Sequence, residues 1–297
     1  PLFGRVVTAM VTPFKQNGKE VDYAVMEQLA AYLADNGSDA LVVGGTTGES
    51  PTLTWGENTE IFSVVRQAVG SRCKVIGGAG SNSTMEAVEA TKRAAQLGVD
   101  GTLQVCPYYS KPGAEGQYQH FKAIAECEPD LPMMLYNIPG RCGVNMSSDT
   151  TVRLAEIDNI VAMKEASGDL DQFVDIRRRT APDFHLYSGD DSLTLPLLSL
   201  GGSGVVSVAS HFIGNDIKSM VDAFIAGDTA KATEIHLKFA QLFSDLFLLT
   251  NPVPTKAGLR IQGWPVGPVR LPLTDATPEV EQILRDLFRE LRLSRAP

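Results

Sequence analysis

Residues 74–98 read KVIGGAGSNSTMEAVEATKRAAQLG and contain one complete strand–helix unit. Lys74–Gly77 is a short, mostly apolar run that predicts a buried strand. Ser83–Leu97 opens with Ser83 and Glu86 at the spacing of a capping box and is followed by glycine, which predicts a helix with both ends marked. The glycines between strand and helix lack the third glycine of a dinucleotide-binding loop, because Ser83 stands in its place. The unit therefore favours a parallel sheet without a nucleotide-binding fingerprint.

The same unit recurs along the chain as far as about residue 228. Short apolar runs predict eight strands: Val6–Met10, Ala40–Val43, Lys74–Gly77, Gly101–Val105, Met133–Tyr136, Ile160–Lys164, His185–Ser188 and Gly204–Val208. Helical patterns follow them: Asp22–Asn36, Trp55–Val69, Ser83–Leu97, Gly116–Cys127, Ser148–Ile157, Asp171–Thr180, Leu193–Leu200 and Asp216–Ala226. Eight strands alternating with eight helices predict an α/β fold, a single closed (β/α)8 TIM barrel. A doubly wound sheet would need a nucleotide-binding loop, and none of the glycine-rich segments supplies one.

The chain changes character after the barrel, because the strand patterns stop. The helical patterns there are Thr229–Leu249 and Glu279–Leu293, with proline-rich stretches around Asn251–Pro254 and Trp264–Pro272. We expect residues 1–227 to form the catalytic barrel and residues 228–297 to form a helical extension packed on it. The extension is not expected to be independent, since no long linker precedes it.

Composition excludes several kinds of partner. The 297 residues include 26 basic and 35 acidic side chains, a net charge of −9, without a basic stripe, which argues against nucleic acid and anionic membranes. No apolar run approaches the roughly 18 residues of a membrane span. The four cysteines and four histidines show no metal-ligand spacing, so no metal site is predicted. No signal-peptide pattern opens the chain, so we expect a cytoplasmic protein, or one of the plastid stroma if a transit peptide was removed.

Lys164 is the most informative residue at the predicted strand ends. Chemistry in such barrels lies at the C-terminal ends of the strands, and Lys164 closes the apolar run Ile160–Met163. One interpretation is a structural lysine whose stem snorkels to water. The other is a desolvated amine, because burial disfavours the ammonium form and leaves a neutral nucleophile that forms a Schiff base with a ketone. The strand by itself leaves both open.

Polar side chains at other strand ends fit the same chemistry. Tyr136 ends the preceding strand, and its phenol could shuttle protons beside a Schiff base or simply be a core aromatic. Thr46, Thr47 and Tyr109 could extend a chain of hydrogen bonds, although such turns favour threonine for structural reasons alone. The guanidinium of Arg141 suits a carboxylate ligand or a surface salt bridge. No histidine lies at these strand ends, so a Ser-His-Asp arrangement is not predicted.

Four segments together resemble the dihydrodipicolinate synthase family of the class I pyruvate-dependent aldolases and lyases. They are Gly44–Ser50 (GGTTGES), Pro107–Tyr109 (PYY), Tyr136–Arg141 (YNIPGR) and the strand end Lys164–Glu165. The resemblance extends over essentially the whole chain, including Asn251-Pro252 and the helical C-terminus. The combination makes the match specific, since any one segment would be weak.

The resemblance implies a lyase that condenses pyruvate with L-aspartate 4-semialdehyde, in the committed step of diaminopimelate and lysine biosynthesis. Lys164 would form the imine with pyruvate, and Tyr136 would transfer protons in a relay with Thr46 and Tyr109. Tyr109 would come from the neighbouring subunit of a tight dimer, and the family usually forms a dimer of dimers. The implied substrate-binding positions are Thr47, the backbone of Val206, Gly189 and, for the semialdehyde carboxylate, Arg141. No metal or other cofactor is implied, because the imine itself accepts the electrons.

The resemblance also implies feedback inhibition by L-lysine at a pocket in the dimer interface. The positions that correspond to this pocket are Ser50, Pro51, Trp55, Asn58, Asn82, Glu86 and Tyr108. Trp55 and Asn58 stand where many bacterial members have histidine, and tryptophan there is reminiscent of plastid-type enzymes. Glu86 has a competing explanation as part of the capping box, although one carboxylate can serve both purposes.

Two alternatives to the synthase follow from the same residues. N-acetylneuraminate lyase shares the fold and the lysine, but usually has serine at the position of Thr46 and no basic residue at that of Arg141. Both residues therefore favour the synthase. A non-catalytic barrel would be expected to have lost Lys164 or Tyr136, and this chain has both.

Overall fold

The computed structural model describes residues 1–293, and its secondary structure follows the predicted alternation. The strands are β1 Val6–Ala9, β2 Ala40–Val43, β3 Lys74–Gly78, β4 Gly101–Val105, β5 Met133–Asn137, β6 Ile160–Glu165, β7 His185–Ser188 and β8 Gly204–Ser207. The helices are α1 Tyr23–Asp35, α2 Trp55–Val69, α3 Thr84–Gln96, α4 Ala114–Cys127, α5 Pro139–Cys142, α6 Ser148–Leu154, α7 Leu170–Arg179, α8 Thr194–Ser199, α9 Ser210–Ile225, α10 Thr229–Asp245, α11 Val253–Gln262 and α12 Pro278–Glu290. Short 3-10 turns lie at Ser50–Thr52 and Asp191–Leu193.

The eight strands form one closed parallel barrel, which confirms the predicted fold class. Each strand pairs with the next along the chain, and β8 closes on β1, where Val206 lies opposite Val7. The strands are mostly apolar and buried along nearly their whole length, because one face packs inside the barrel and the other against the helices. Since all strands run in the same direction, their C-terminal ends meet at one rim, and the segments that follow them converge there.

The start of α3 differs from the prediction of a complete capping box. Ser83 does cap the helix, and its hydroxyl accepts a hydrogen bond from the backbone N–H of Glu86. The carboxylate of Glu86 does not return the bond, because it accepts a hydrogen bond from the hydroxyl of Ser81 at 2.8 Å. A complete capping box occurs instead at α2, between Thr54 and Glu57.

Helix α9 begins at Ser210 rather than at the predicted Asp216. The buried carboxylate of Asp191 accepts hydrogen bonds from the backbone N–H groups of Val208 and Ala209, both at 2.9 Å, just before the helix. The Asp191 carboxylate thus accepts hydrogen bonds from N–H groups near the helix start, which have no partner within the helix. This support comes from a distant residue, so local periodicity could not indicate it.

The extension contains one helix that the sequence did not predict. The proline-rich stretch around Asn251–Pro254 leads directly into α11, since Pro254 lies in the first turn, where a missing N–H costs the helix nothing.

Helix α10 packs on α9 in one hydrophobic cluster, which includes Met220 and Phe239. Residues 294–297 of the predicted extension lie outside the described range. Within residues 1–293, no helix combines the length and the apolar character that crossing a membrane requires.

Candidate active site

Lys164 and Tyr136 lie side by side at the rim of the barrel. They are paired residues of the adjacent strands β6 and β5. Both side chains are buried, with 6% of Lys164 and 4% of Tyr136 exposed, and the Lys164 Nζ lies 4.1 Å from the centroid of the Tyr136 ring. The amine therefore does not snorkel into solvent. Of the two interpretations that the strand left open, burial argues against the snorkelling lysine and leaves the amine facing the phenol ring.

Gly189 adjoins the stem of Lys164. Its N–H donates to the carbonyl of Glu165 at 2.7 Å, which holds the end of β7 against β6. A Cβ atom at this position would lie 3.1 Å from Lys164 Cε and 2.6 Å from the Cβ of Ala166. The absence of a side chain at Gly189 thus leaves space around the amine.

The two threonines follow β2 in a tight turn. The N–H of Glu49 donates to the carbonyl of Thr46 at 3.0 Å, and the hydroxyl of Thr12 donates to the carbonyl of Gly48 at 2.7 Å. Thr46 is half-buried, whereas Thr47 is buried. These bonds place both threonine hydroxyls on a segment that the barrel holds in one conformation.

Tyr109 is largely exposed in the single chain. Its side chain is 89% exposed, and its backbone is left-handed, with φ +68°. Among residues 1–293 of this single chain, no hydrogen bond links the hydroxyls of Tyr136, Thr46 and Tyr109. The predicted three-hydroxyl relay is therefore not assembled within one subunit.

Arg141 and Thr47 share a contact that sequence reasoning did not assign. Arg141 lies in the short helix α5, and its Nη2 donates to the carbonyl of Asn251 at 3.0 Å. The side-chain amide of Asn251 donates to the Thr47 hydroxyl at 2.8 Å. Asn251 thus contacts two predicted substrate-binding residues. The only sequence signal was an Asn-Pro pair, which ordinarily marks a turn. Val206, the remaining member of that set, is buried in β8.

One cavity of about 660 Å³ brings together residues of the catalytic and effector sets. From the catalytic and substrate-binding set it is lined by Thr46, Tyr109 and Arg141. From the effector set it is lined by Ser50, Pro51, Trp55, Asn58, Glu86 and Tyr108. Lys164 and Tyr136 do not line it. The two predicted sites therefore adjoin, with Tyr108 and Tyr109 as consecutive residues between them.

The effector set offers polar atoms to a ligand. The carboxylate of Glu86 is exposed, and the buried Asn58 Oδ1 has no hydrogen-bond partner among residues 1–293. Asn82 does not line the cavity, but its amide donates to the Tyr108 carbonyl at 3.3 Å and so supports the cavity wall. The Arg93 guanidinium lies 5.9 Å from the Trp55 ring centroid. The exposed carboxylate of Glu86 suits an ammonium group.

The cysteines near the site are poor nucleophiles. Burial raises the pKa of the Cys106 thiol to about 12 and also raises the pKa of Cys142. The thiolate is the reactive form, so neither side chain competes with the Lys164 amine. Within residues 1–293, no three His, Cys, Asp or Glu side chains are grouped so that they could hold a metal ion.

Comparison with known proteins gives a consistent result. A model of the dihydrodipicolinate synthetase family matches residues 2–291. Curated relatives from Acaryochloris marina and Nostoc sp., both named 4-hydroxy-tetrahydrodipicolinate synthase, are 59% and 58% identical over 98% of this chain and 99% of their own length. A solved structure described as dihydrodipicolinate synthase from Cyanidioschyzon merolae with lysine bound is 62% identical, with a TM-score of 0.97. That match covers 98% of this chain and 99% of the other.

Proposed function

The chain belongs to the dihydrodipicolinate synthetase family, and we propose that it condenses pyruvate with L-aspartate 4-semialdehyde through a Schiff base on Lys164. The observation that carries this proposal is the buried amine of Lys164, 4.1 Å from the Tyr136 ring at the C-terminal rim of the barrel. The full-length relatives support 4-hydroxy-tetrahydrodipicolinate as the product. The reaction is that of a lyase.

In the first half-reaction, the amine of Lys164 attacks the keto carbon of pyruvate. The resulting carbinolamine loses water to form the imine, and the Tyr136 phenol transfers the protons that these steps require. The imine nitrogen draws electrons from the pyruvate methyl group, so that a proton leaves and an enamine forms. Because the imine accepts the electrons, the proposed chemistry requires no metal.

In the second half-reaction, the enamine carbon attacks the aldehyde carbon of the semialdehyde and forms the new carbon–carbon bond. The amine of the bound semialdehyde then attacks the imine carbon, which releases Lys164 and closes the six-membered ring. We assign Arg141 to the semialdehyde carboxylate, since its planar guanidinium can form two parallel hydrogen bonds. Thr47 and the backbone of Val206 are assigned to pyruvate, and Gly189 leaves space for it.

The proton relay is proposed to require a second subunit. Tyr109 is exposed in the single chain and unconnected to Tyr136 and Thr46, so we infer that a partner chain supplies it within a dimer. A dimer of dimers is the proposed assembly. The cytoplasm or a plastid stroma is the proposed compartment, in keeping with relatives from cyanobacteria.

L-lysine is the proposed feedback inhibitor. A structure 62% identical to this chain is described as having lysine bound, which supports this effector. The exposed carboxylate of Glu86 would receive a ligand ammonium group, and Asn58 lines the same cavity. Because these residues line the same cavity as Tyr109 and Arg141, bound L-lysine would act on neighbouring catalytic groups.

Borohydride reduction in the presence of pyruvate tests the proposed function. We expect covalent incorporation of one reduced pyruvate per chain, which peptide mass mapping assigns to Lys164. A Lys164→Met variant should incorporate none. Modification at another residue, or none in the unmodified chain, would overturn the mechanism.

A coupled assay then distinguishes the synthase from its sister enzyme. We expect turnover of pyruvate with L-aspartate 4-semialdehyde and none of N-acetylneuraminate. The opposite preference would assign the chain to the lyase, with the same Schiff base on Lys164.

A further inference from the structure

A second buried lysine lies behind the turn that carries the two threonines. Lys256, on α11, is fully buried, and its Nζ donates to Glu49 Oε1 at 2.8 Å. The same Nζ donates to the carbonyl of Pro268 at 2.9 Å and lies 4.1 Å from the Phe14 ring centroid. The ammonium group is therefore enclosed by one carboxylate, one carbonyl and one aromatic face.

Glu49 has an uncommon backbone conformation for its residue type. Its φ is +59°, in the left-handed region, where residues other than glycine are held only by their surroundings. Both carboxylate oxygens are occupied, Oε1 by Lys256 and Oε2 by the backbone N–H of Arg270 at 2.8 Å. The extension thus fixes the side chain of a residue whose backbone needs to be held.

The same part of the extension contacts the substrate-binding residues at two further points. Asn251, which precedes α11, donates to the Thr47 hydroxyl and accepts from Arg141. Thr255 on α11 in turn donates to the Asn251 side chain at 3.3 Å. Asn251 just before α11 and Lys256 in its first turn therefore contact the threonine turn at Thr47 and at Glu49, respectively.

A purely stabilising role explains this pair poorly. A buried ion pair gains little net stability, because the desolvation of both charges offsets their attraction. The effect of burial is visible in Lys256, whose pKa falls to about 8 despite the opposing influence of Glu49. A pair with this cost is better explained by the geometry that it imposes on its neighbours.

We propose that Glu49 and Lys256 are positioning residues, whose ion pair fixes the left-handed turn and so orients the Thr47 hydroxyl toward pyruvate and the Thr46 hydroxyl toward the proton relay. The inference rests on the proposed function, since that function assigns the Thr47 hydroxyl to pyruvate and the Thr46 hydroxyl to the relay. Loss of the pair should therefore affect pyruvate more than the semialdehyde, because Arg141 is held separately by the Asn251 carbonyl.

The first test compares Lys256→Met with a double variant, Glu49→Gln plus Lys256→Met. The single change leaves the Glu49 charge buried without its partner, whereas the double change removes both charges and is expected to fold with near-normal stability. We expect the KM for pyruvate to be roughly tenfold higher in both variants than in the unmodified chain, and the KM for the semialdehyde to stay within about twofold of normal. A double variant with normal stability and a normal KM for pyruvate would overturn the proposal, even if the single variant does not fold.

Arg260→Met is the matched control. Arg260 lies one turn further along α11 and pairs with Asp275 at 3.1 Å, without contact to the threonine turn. We expect this variant to lower stability and leave the KM for pyruvate unchanged. An equal rise in the KM for pyruvate in Arg260→Met would show that the Lys256 variants act through a general loosening of the extension and would contradict the positioning role.

Hydrogen exchange supplies a measurement that does not depend on activity. We expect amides of residues 44–50 to exchange faster in the Lys256 variants than in Arg260→Met. Unchanged exchange in that segment would contradict the positioning role whatever the reaction proves to be. Failure of pyruvate trapping on Lys164 in the unmodified chain would instead contradict the proposed function.

Discussion

The contrast between Lys164 and Lys256 shows how surroundings decide what a buried lysine does. Lys256 has a carboxylate 2.8 Å away, which stabilises its charge. Lys164 has no carboxylate within 4.0 Å among residues 1–293 and faces a tyrosine ring. An amine without an anionic partner is the better candidate for a nucleophile.

Sequence indicated only one of these two lysines. The apolar run before Lys164 predicted its place at a strand end of the barrel, and burial of its amine was one of the two interpretations that the strand left open. Lys256 lies between two proline-rich stretches, where the sequence predicted no helix, and its partner Glu49 lies 207 residues earlier in the chain. A contact at such separation is formed by the barrel topology, so local patterns could not predict it.

Replacement of Tyr136 by phenylalanine should separate catalysis from folding. The ring packs inside the barrel, so Tyr136→Phe should fold normally and lose only the hydroxyl. Loss of a positioned proton donor typically costs a factor of about 100 or more, and we expect kcat to fall by at least that order. Steady-state kinetics and thermal unfolding check both parts.

Tyr187→Phe is the control for that substitution. Tyr187 is also buried inside the barrel, but its hydroxyl donates to the Gly4 carbonyl, ahead of β1, at 2.8 Å. We expect it to lose about 1 kcal/mol of stability and to keep its turnover. Near-normal turnover in Tyr136→Phe would remove that phenol from proton transfer.

At the scale of the elements, the start of α3 shows what a sequence motif can and cannot predict. The spacing of Ser83 and Glu86 correctly indicated where the helix begins. It could not indicate the partner of the Glu86 carboxylate, because Ser81 competes for it from the preceding turn. The helix is capped by Ser83 alone, which leaves the second oxygen of Glu86 available to a ligand.

Two substitutions at this helix start should have opposite effects. Ser83→Ala removes the cap, so we expect a loss of about 1 kcal/mol in unfolding free energy and unchanged inhibition by L-lysine. Glu86→Gln keeps the cap, so we expect stability within about 0.5 kcal/mol of normal and markedly weaker inhibition. Urea unfolding and initial rates at increasing L-lysine measure the two effects.

The opposite result has a definite meaning. A loss of stability in Glu86→Gln equal to that of Ser83→Ala would make Glu86 a structural cap. Initial rates that stay constant in millimolar L-lysine, in the unmodified chain, would exclude the effector site altogether.

At the scale of the whole molecule, the extension is joined to the barrel by long-range contacts. Arg270 forms an ion pair with Glu57 at 2.6 Å, across 213 residues of sequence. Its guanidinium also lies 4.2 Å from the Phe14 ring centroid. We therefore propose that residues from 228 onward do not fold independently. The sequence predicted this attachment from the absence of a linker but could not identify the contacts.

Two buried histidines should make the fold sensitive to acid. Burial lowers the pKa of both His120 and His211 from 6.5 to about 4. As the pH falls, the two histidines are protonated in the unfolded chain before they are protonated in the folded chain. Their contribution to the free energy of unfolding is therefore fully present above about pH 6.5 and is lost as the pH falls toward 4. Over this range, each histidine accounts for a loss of up to about 3 kcal/mol in the free energy of unfolding.

Unfolding curves at fixed protein concentration between pH 7 and pH 4 measure this loss. The Thr84 hydroxyl lies 2.9 Å from His120 Nδ1. Asparagine in place of His120 keeps a polar group near this hydroxyl but does not take up a proton in this pH range. His120→Asn should therefore show a shallower decline with falling pH. If the free energy of unfolding of His120→Asn falls with pH as steeply as that of the unmodified chain, His120 does not contribute to the acid sensitivity.

The exposure of Tyr109 has a genetic consequence. If each site combines Lys164 of one chain with Tyr109 of another, a chain lacking the first and a chain lacking the second are both inactive alone. A mixed pair, however, contains one site with both groups. Two defective alleles would then complement each other within a single heterozygous cell, which a self-sufficient barrel would not allow.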